Sequence, residues 1–332
     1  MTMKFQLPSS SFRVLHRRLN GAVLRCSSIA NRKSQIKNGF TIVEILVTMV
    51  LLSLIVLALM AVFNSTQQAF RSSLTQTDIL ESGRNVMGLI ASDLETMTPS
   101  YGSAYTNGPP AFFNPVNFYA NTNGSPLIIQ SLTASPTDAQ RTNVLENFFI
   151  LSRQNINGTP NWVGTGYTVV TNTRDGSLYS LYRFTTNAPV MTANPWQLFD
   201  TFIYGFLPSP TNYSRLMDGV VDLTVTPYDP NGLAMTNTYE YNYNGSTNKF
   251  INSNTAFLPS SIPGVYGFYM YSNTVPASVQ VELGVLENTT LQHMEGLPNT
   301  AAQMNYLSNH VGQVHLFRQR VWIRNVDPLA YQ

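Results

Sequence analysis

The sequence predicts an α+β fold: one long N-terminal helix, first transmembrane and then amphipathic, packed on a C-terminal antiparallel β-sheet head. Three observations carry this prediction. Ile45 to Phe63 is a run of 19 residues without charge, Gly or Pro. Apolar residues then recur at helical spacing up to Met97, and Pro99 marks a stop. Later segments such as Ser278 to Leu286 alternate apolar and polar residues with period two. With 332 residues, 43% of them hydrophobic, the chain can bury a sizeable core.

Residues 1–39 read as a basic leader. They hold Lys4, Arg13, Arg17, Arg18, Arg25, Arg32, Lys33 and Lys37 and no Asp or Glu. Taking these eight from the total of 19 leaves 11 basic against 17 acidic residues from Phe40 onward, a formal net charge of −6. The overall charge of +2 therefore belongs to the leader. A mildly acidic remainder argues against a nucleic-acid-binding surface. Cys26, also in the leader, is the only cysteine, so no intrachain disulfide and no Cys-based metal site can form.

Residues 40–63 read as the transmembrane half of the helix. At about 1.5 Å per residue the apolar run is long enough to cross a hydrocarbon core of roughly 30 Å. The first charges after it are Arg71, Asp78 and Glu81, so the positive-inside rule puts the N terminus in the cytoplasm and the head outside. A secretory signal has a shorter apolar stretch followed by a small-residue cleavage site, which this segment lacks. An Arg- and Ser-rich, acid-free leader also has the composition of an organellar transit peptide, and the apolar length alone equally fits a plain signal anchor.

Residues 64–98 read as the amphipathic half. Phe70, Leu74, Met87, Ile90, Leu94 and Met97 fall at spacings of three, four and their sums, which form one narrow stripe for packing on the head. Gly83 and Gly88 are expected weak points in that helix. From Phe40 to Met97 the segment would be about 87 Å long if fully helical.

Residues 99–332 read as the β-rich head. Residues 99–143, rich in Pro, Gly, Asn, Ser and Thr, are expected to be loop with at most short elements. Strands are expected at Val144–Leu151, Trp162–Thr171, Ser177–Thr185, Thr201–Phe206, Val220–Thr226, Ser278–Leu286 and Gln313–Asn325. The turn-rich segment from Tyr228 to Pro276 reads as an excursion at the rim of the sheet.

The residues before the apolar run are the most specific signal in the chain. Lys37-Asn38-Gly39-Phe40-Thr41-Ile42-Val43-Glu44 places a basic residue, a Gly, an aromatic and a lone acid in fixed order ahead of a charge-free helix. This resembles the type IV prepilin cleavage and methylation motif. The resemblance implies that a membrane-bound prepilin peptidase cuts between Gly39 and Phe40 and that Phe40 becomes the N-methylated terminus. Glu44 is then the acid at the fifth position of the mature chain. A carboxylate near the edge of an apolar helix costs about 2–3 kcal/mol if it sits deep and unpaired. The resemblance supplies its partner, the amine of Phe40 on a neighbouring subunit; the alternative is that Glu44 snorkels to the headgroups.

Further along, the chain resembles the J-type minor pseudopilins of type II secretion and the W-type minor pilins. The resemblance rests on Arg84-Asn85-Val86-Met87-Gly88-Leu89-Ile90-Ala91-Ser92-Asp93-Leu94, Leu181-Tyr182-Arg183-Phe184, Val220-Val221-Asp222-Leu223-Thr224-Val225, Pro276-Ala277-Ser278-Val279-Gln280-Val281 and Phe317-Arg318-Gln319-Arg320-Val321-Trp322-Ile323-Arg324-Asn325. It implies a non-enzymatic subunit near the tip of a filament that helps nucleate assembly. The implied partners are major and minor pilin-like subunits, the peptidase, an inner-membrane assembly platform and membrane lipid, with no cofactor. The implied location is the bacterial inner membrane, with the head periplasmic.

The search for chemistry is negative. His16 lies in the leader, and His293, His310 and His315 lack metal-ligand spacing and have no nearby acid to orient them. No phosphate-binding Gly loop or Gly-x-Ser-x-Gly elbow is present. Asp218, Asp222 and Asp229 suggest calcium but lack the spacing of an EF-hand loop. Tyr239, Tyr241, Tyr243, Phe250, Tyr266, Phe268, Tyr269 and Tyr271 either form a binding platform, which would make the chain a membrane-tethered adhesin, or fold onto the sheet.

Overall fold

The computed structural model describes residues 41–102, 115–122, 128–131, 140–172, 178–191, 194–205, 211–235, 254–258, 267–310 and 313–331. The chain divides into two compact units, residues 1–63 and 64–332. Helix α1 runs from Ile42 to Glu95, and its residues up to Phe63 belong to the first unit. In that unit the apolar side chains of α1 are all exposed.

In the second unit, α1 buries Ile79, Gly83, Val86, Met87, Ile90, Ala91 and Leu94, spaced by three and four as one helix face requires. Thr96 and Met97 then tighten the end with i→i−3 bonds to Asp93 and Leu94 carbonyls, both 3.1 Å. Packing begins at Ile79, so the expected stripe is corrected at its start: Phe70 and Leu74 are exposed. Gly83 and Gly88 do not interrupt the helix. A Cβ on Gly83 would lie 2.3 Å from the Phe317 ring, so glycine is what lets that ring sit against the helix.

Twelve strands and three shorter helices are described: β1 (Val116–Thr122), β2 (Ile128–Ser131), β3 (Gln140–Asn143), β4 (Glu146–Ile156), β5 (Thr159–Asn172), β6 (Leu178–Pro189), α2 (Trp196–Tyr204), β7 (Tyr213–Met217), β8 (Val220–Tyr228), β9 (Thr255–Leu258), β10 (Gly267–Tyr271), β11 (Ser278–Leu286), α3 (Asn288–Glu295), α4 (Thr300–Ser308) and β12 (Val314–Trp322). The strands form a seven-stranded sheet of order β7-β6-β5-β4-β1-β10-β9, a three-stranded sheet of order β12-β11-β8, and the hairpin β2-β3. Every described ladder is antiparallel.

The α+β class is as the sequence predicts, and six of the seven expected strands are present within a few residues of their expected bounds. The seventh is corrected: Thr201–Phe206 overlaps α2, not a strand. Leu198, Phe199, Phe202 and Ile203 share one helical face, and Leu198 and Phe202 pack in a cluster with Phe149, Phe184 and Trp162. Phe202 lies over Gly166 of β5, where a Cβ would come within 2.5 Å of its ring. Aromatic and β-branched content suggested a strand, but burial by this face decides for a helix.

Five further strands lie in the turn-rich segments, β1, β2 and β3 within residues 99–143 and β9 and β10 within residues 228–276. β1, inside the expected loop, is buried between β4 and β10. β9 and β10 extend the same sheet at one rim, which fits the expected excursion, although β10 is itself mostly buried. Phe268 and Tyr271 are buried and Tyr269 half-buried, so these three aromatics are sheet packing and not a platform. Tyr239, Tyr241, Tyr243, Phe250 and Tyr266 lie outside the described residues.

The two larger sheets are joined where β4 begins. Leu145 bridges Leu223 in parallel, and the Leu223 N–H donates to the Val144 carbonyl at 2.8 Å. Asp222 and Glu146, both buried, each accept a backbone N–H across the joint: Val144 to Asp222 at 2.9 Å and Val225 to Glu146 at 2.5 Å. Burial raises the Glu146 carboxyl to about 8, with the nearby Asp222 charge adding to the shift and the Val225 N–H opposing it.

Candidate functional site

Of the three residues that the prepilin-like motif singles out, Gly39 and Phe40 lie outside the described residues and Glu44 sits in the first turn of α1. Thr41 precedes the helix, and the Glu44 N–H donates to its carbonyl at 3.0 Å and to its Oγ1 at 3.3 Å. Thr41 and Glu44 thus stand at the spacing of a capping box, a second local signal in the same stretch of sequence. A carboxylate in the first turn is also favoured by the positive end of the helix dipole. Two properties of the helix itself, its cap and its dipole, therefore suit an acid at this position.

From Ile45 to Phe63 the helix is uncharged and, apart from Thr48 and Ser53, apolar. None of the residues in this run is buried, and this is the one described helix long and apolar enough to cross a membrane. The two hydroxyls in the run are satisfied within the helix: Thr48 donates to the Ile45 carbonyl at 2.8 Å and Ser53 to the Met49 carbonyl at 2.9 Å. The run therefore exposes no unpaired hydroxyl to hydrocarbon.

At its other end α1 carries a polar clasp. Asp93 accepts Nε and Nη2 of Arg183 on β6 at 2.7 and 3.0 Å, and the Tyr167 hydroxyl of β5 at 2.5 Å. Hydrogen bonding to Asp93 raises the Arg183 guanidinium, and burial raises the Tyr167 phenol, next to that same carboxylate. Arg324 reaches Glu95 at 2.5 Å, and the Asn325 side chain donates to the Met97 carbonyl at 2.9 Å. Residues 84–94, 181–184 and 317–325, far apart in the chain, thus converge on the end of one helix.

The remaining candidates are engaged in local structure. Asp218 accepts from Ser180 and Arg215, Asp222 from the Val144 backbone, and Asp229 from the Leu233 N–H at 2.8 Å. His310 stacks on Tyr306 with ring centroids 3.9 Å apart, and His293 sits 6.4 Å from the same ring. The expectation that no acid orients a histidine is corrected for His315, whose Nε2 lies 3.2 Å from Glu287. Tertiary pairing brings these two together from opposite ends of the α3–α4 segment. Among the described residues no group of His, Cys, Asp and Glu has the geometry of a metal site. His16 lies outside them.

A family described as the prokaryotic N-terminal methylation motif matches residues 35–60. No curated protein and no solved structure matches the chain. The matched span takes in Gly39, Phe40, Glu44 and most of the apolar run. It supports a type IV pilin-like protein, and with the one such apolar helix among the described residues it suggests single-pass membrane anchoring.

Proposed function

We propose that this chain is a non-enzymatic minor pseudopilin or minor pilin, made as a precursor, cut between Gly39 and Phe40, and methylated on Phe40. It sits at or near the tip of a type II secretion or type IV pilus-like filament and helps to nucleate assembly. The observation that carries this reading is the methylation-motif match over residues 35–60, with Glu44 exposed in the first turn of a helix whose next residues are uncharged and apolar. The resemblance of short segments to those of J- and W-type subunits supports the subtype.

In this mechanism residues 1–39 keep the N terminus cytoplasmic until the peptidase removes them. Residues 40–63 hold the subunit in the inner membrane, residues 64–98 continue the helix on the periplasmic side, and residues 99–332 form the head. Leaving Glu44 unpaired in an apolar setting costs about 2–3 kcal/mol, and the new Phe40 amine of a neighbouring subunit offsets that cost only when the two helices are in register. The partners are pilin-like subunits, the peptidase, the assembly platform and lipid.

Intact-mass spectrometry of the protein purified from its native membrane tests the reading. The expected species begins at Phe40 with one added methyl group. A chain that begins elsewhere, or a Gly39→Ala variant processed like the unaltered protein, overturns it.

A further inference from the structure

The two edges of the three-stranded sheet are finished in opposite ways. On β8 the residues turned away from β11 are Leu223, Val225 and Pro227. The Leu223 N–H is taken by Val144 and the Val225 N–H by the Glu146 carboxylate. Pro227 has no N–H, and its carbonyl accepts from Met235 at 2.9 Å. These three positions offer no free N–H to another strand.

Among the described residues the β12 edge is open. β11 and β12 pair without a bulge from Ser278 opposite Trp322 to Leu286 opposite Val314. Ile323 donates to Ala277 and Gln313 accepts from Glu287, so the odd-numbered positions of β12 face β11. Val314, Leu316, Arg318, Arg320 and Trp322 therefore turn their amides and carbonyls outward, and none of these groups has a backbone partner among the described residues. The strand is nine residues long and contains no proline.

The side chains above this edge select what can add to it. Leu316 is 49% and Trp322 64% exposed, and between them stand Arg318 and Arg320. Arg318 shares Glu282 at 2.5 Å but keeps 63% of its side chain in solvent. Arg320 lies 3.8 Å over the Tyr228 ring and 5.0 Å from that of Trp322, and its Nε donates to Ser278 at 2.8 Å. It has no carboxylate partner among the described residues, and its buried Nη2 has no hydrogen bond. A second copy added by two-fold antiparallel pairing about the strand centre would set arginine opposite arginine, which is unfavourable.

We propose that the outer edge of β12 receives an extended segment of a partner protein as an added strand. This segment carries acidic side chains opposite Arg318 and Arg320 and apolar ones opposite Leu316 and Trp322. Backbone hydrogen bonds supply the attachment and the alternate side chains the selectivity. The site lies in the head and stands whether or not the chain is cut at Gly39.

The test uses the full chain in detergent micelles and synthetic peptides of the same length as β12. One peptide alternates threonine with valine, glutamate, glutamate and valine; a second has lysine for glutamate; a third is the glutamate peptide N-methylated on alternate amides. The glutamate peptide is expected to bind at least about fivefold more tightly than the lysine peptide. It should also slow hydrogen exchange across Val314–Trp322. The N-methylated peptide should lose binding, and Arg318→Glu should invert the preference while Arg318→Gln only weakens it. The proposal is overturned by the absence of protection at β12 or by equal binding of the N-methylated peptide.

Discussion

Asp93, on the last turns of α1, accepts Nε and Nη2 of Arg183 from β6 as a two-pronged pair, with 15% and 26% of the two side chains in solvent. The two residues are 90 positions apart, and Tyr167 of β5 closes the group from a third element. A carboxylate with three donors is fixed in place, so the clasp sets where the helix end lies on the seven-stranded sheet. Asp93→Ala would leave the guanidinium partly desolvated and unpaired, with an expected loss of about 2–3 kcal/mol, below that for a fully buried pair. Tyr167→Phe should cost about 1 kcal/mol. Denaturant unfolding of the solubilised protein measures both, and a double variant losing the full sum would show that the two contacts act independently.

The two glycines of α1 should respond in opposite directions. At Gly83 an added Cβ meets the Phe317 ring, so Gly83→Ala is expected to cost about 1–3 kcal/mol by overpacking. Trimming the ring with Phe317→Leu in the same chain should recover part of the loss. At Gly88 nothing lies within 4 Å, and Gly88→Ala should gain about 0.5–1 kcal/mol from helix propensity. Thermal unfolding of the variants checks both signs.

The joint between the sheets should make the head sensitive to alkali. Glu146 titrates at about 8 in the fold against an ordinary value of 4.5, so the folded state holds the proton more tightly than the unfolded chain. The stability contributed by this group is fully present below pH 4.5 and is lost as pH rises through about 8. Glu146→Gln keeps an acceptor for the Val225 N–H without an ionisable proton. It should flatten this dependence and raise stability above pH 8 relative to the unaltered chain, as unfolding free energies on either side of that value would show.

Glu44 separates helix capping from charge pairing. Glu44→Gln retains a polar side chain in the first turn and removes the charge. On the proposed mechanism it should reduce incorporation into filaments by at least about tenfold, as should Glu44→Ala. Proteolytic resistance of the head should not change in either variant. Filament incorporation by the Gln variant at the level of the unaltered chain would leave capping as the sole role of this residue.

Much of the candidate site was legible because its determinants are local. The order Gly39, Phe40, Glu44 and an uncharged run is a linear pattern, and Ser278–Leu286 announces its strand by alternation up to Val285, with the strand found at those bounds. The capping geometry of the site is legible too, in the spacing of Thr41 and Glu44.

What the sequence alone determined is the part that neighbouring residues decide: a membrane-length apolar helix, its amphipathic continuation, and the more regular strands. What only the tertiary structure decided rests on partners far away in the chain. α2 is a helix because Phe202 packs over Gly166, β1 is a strand because β4 and β10 flank it, and Phe70 and Leu74 are exposed because packing starts at Ile79. The meeting of Asp93 with Arg183, the burial of Glu146 and the open edge of β12 are likewise set by contacts between distant segments. Periodicity records which face of an element is apolar, whereas the identity of the element covering that face is fixed only when the whole chain closes around it.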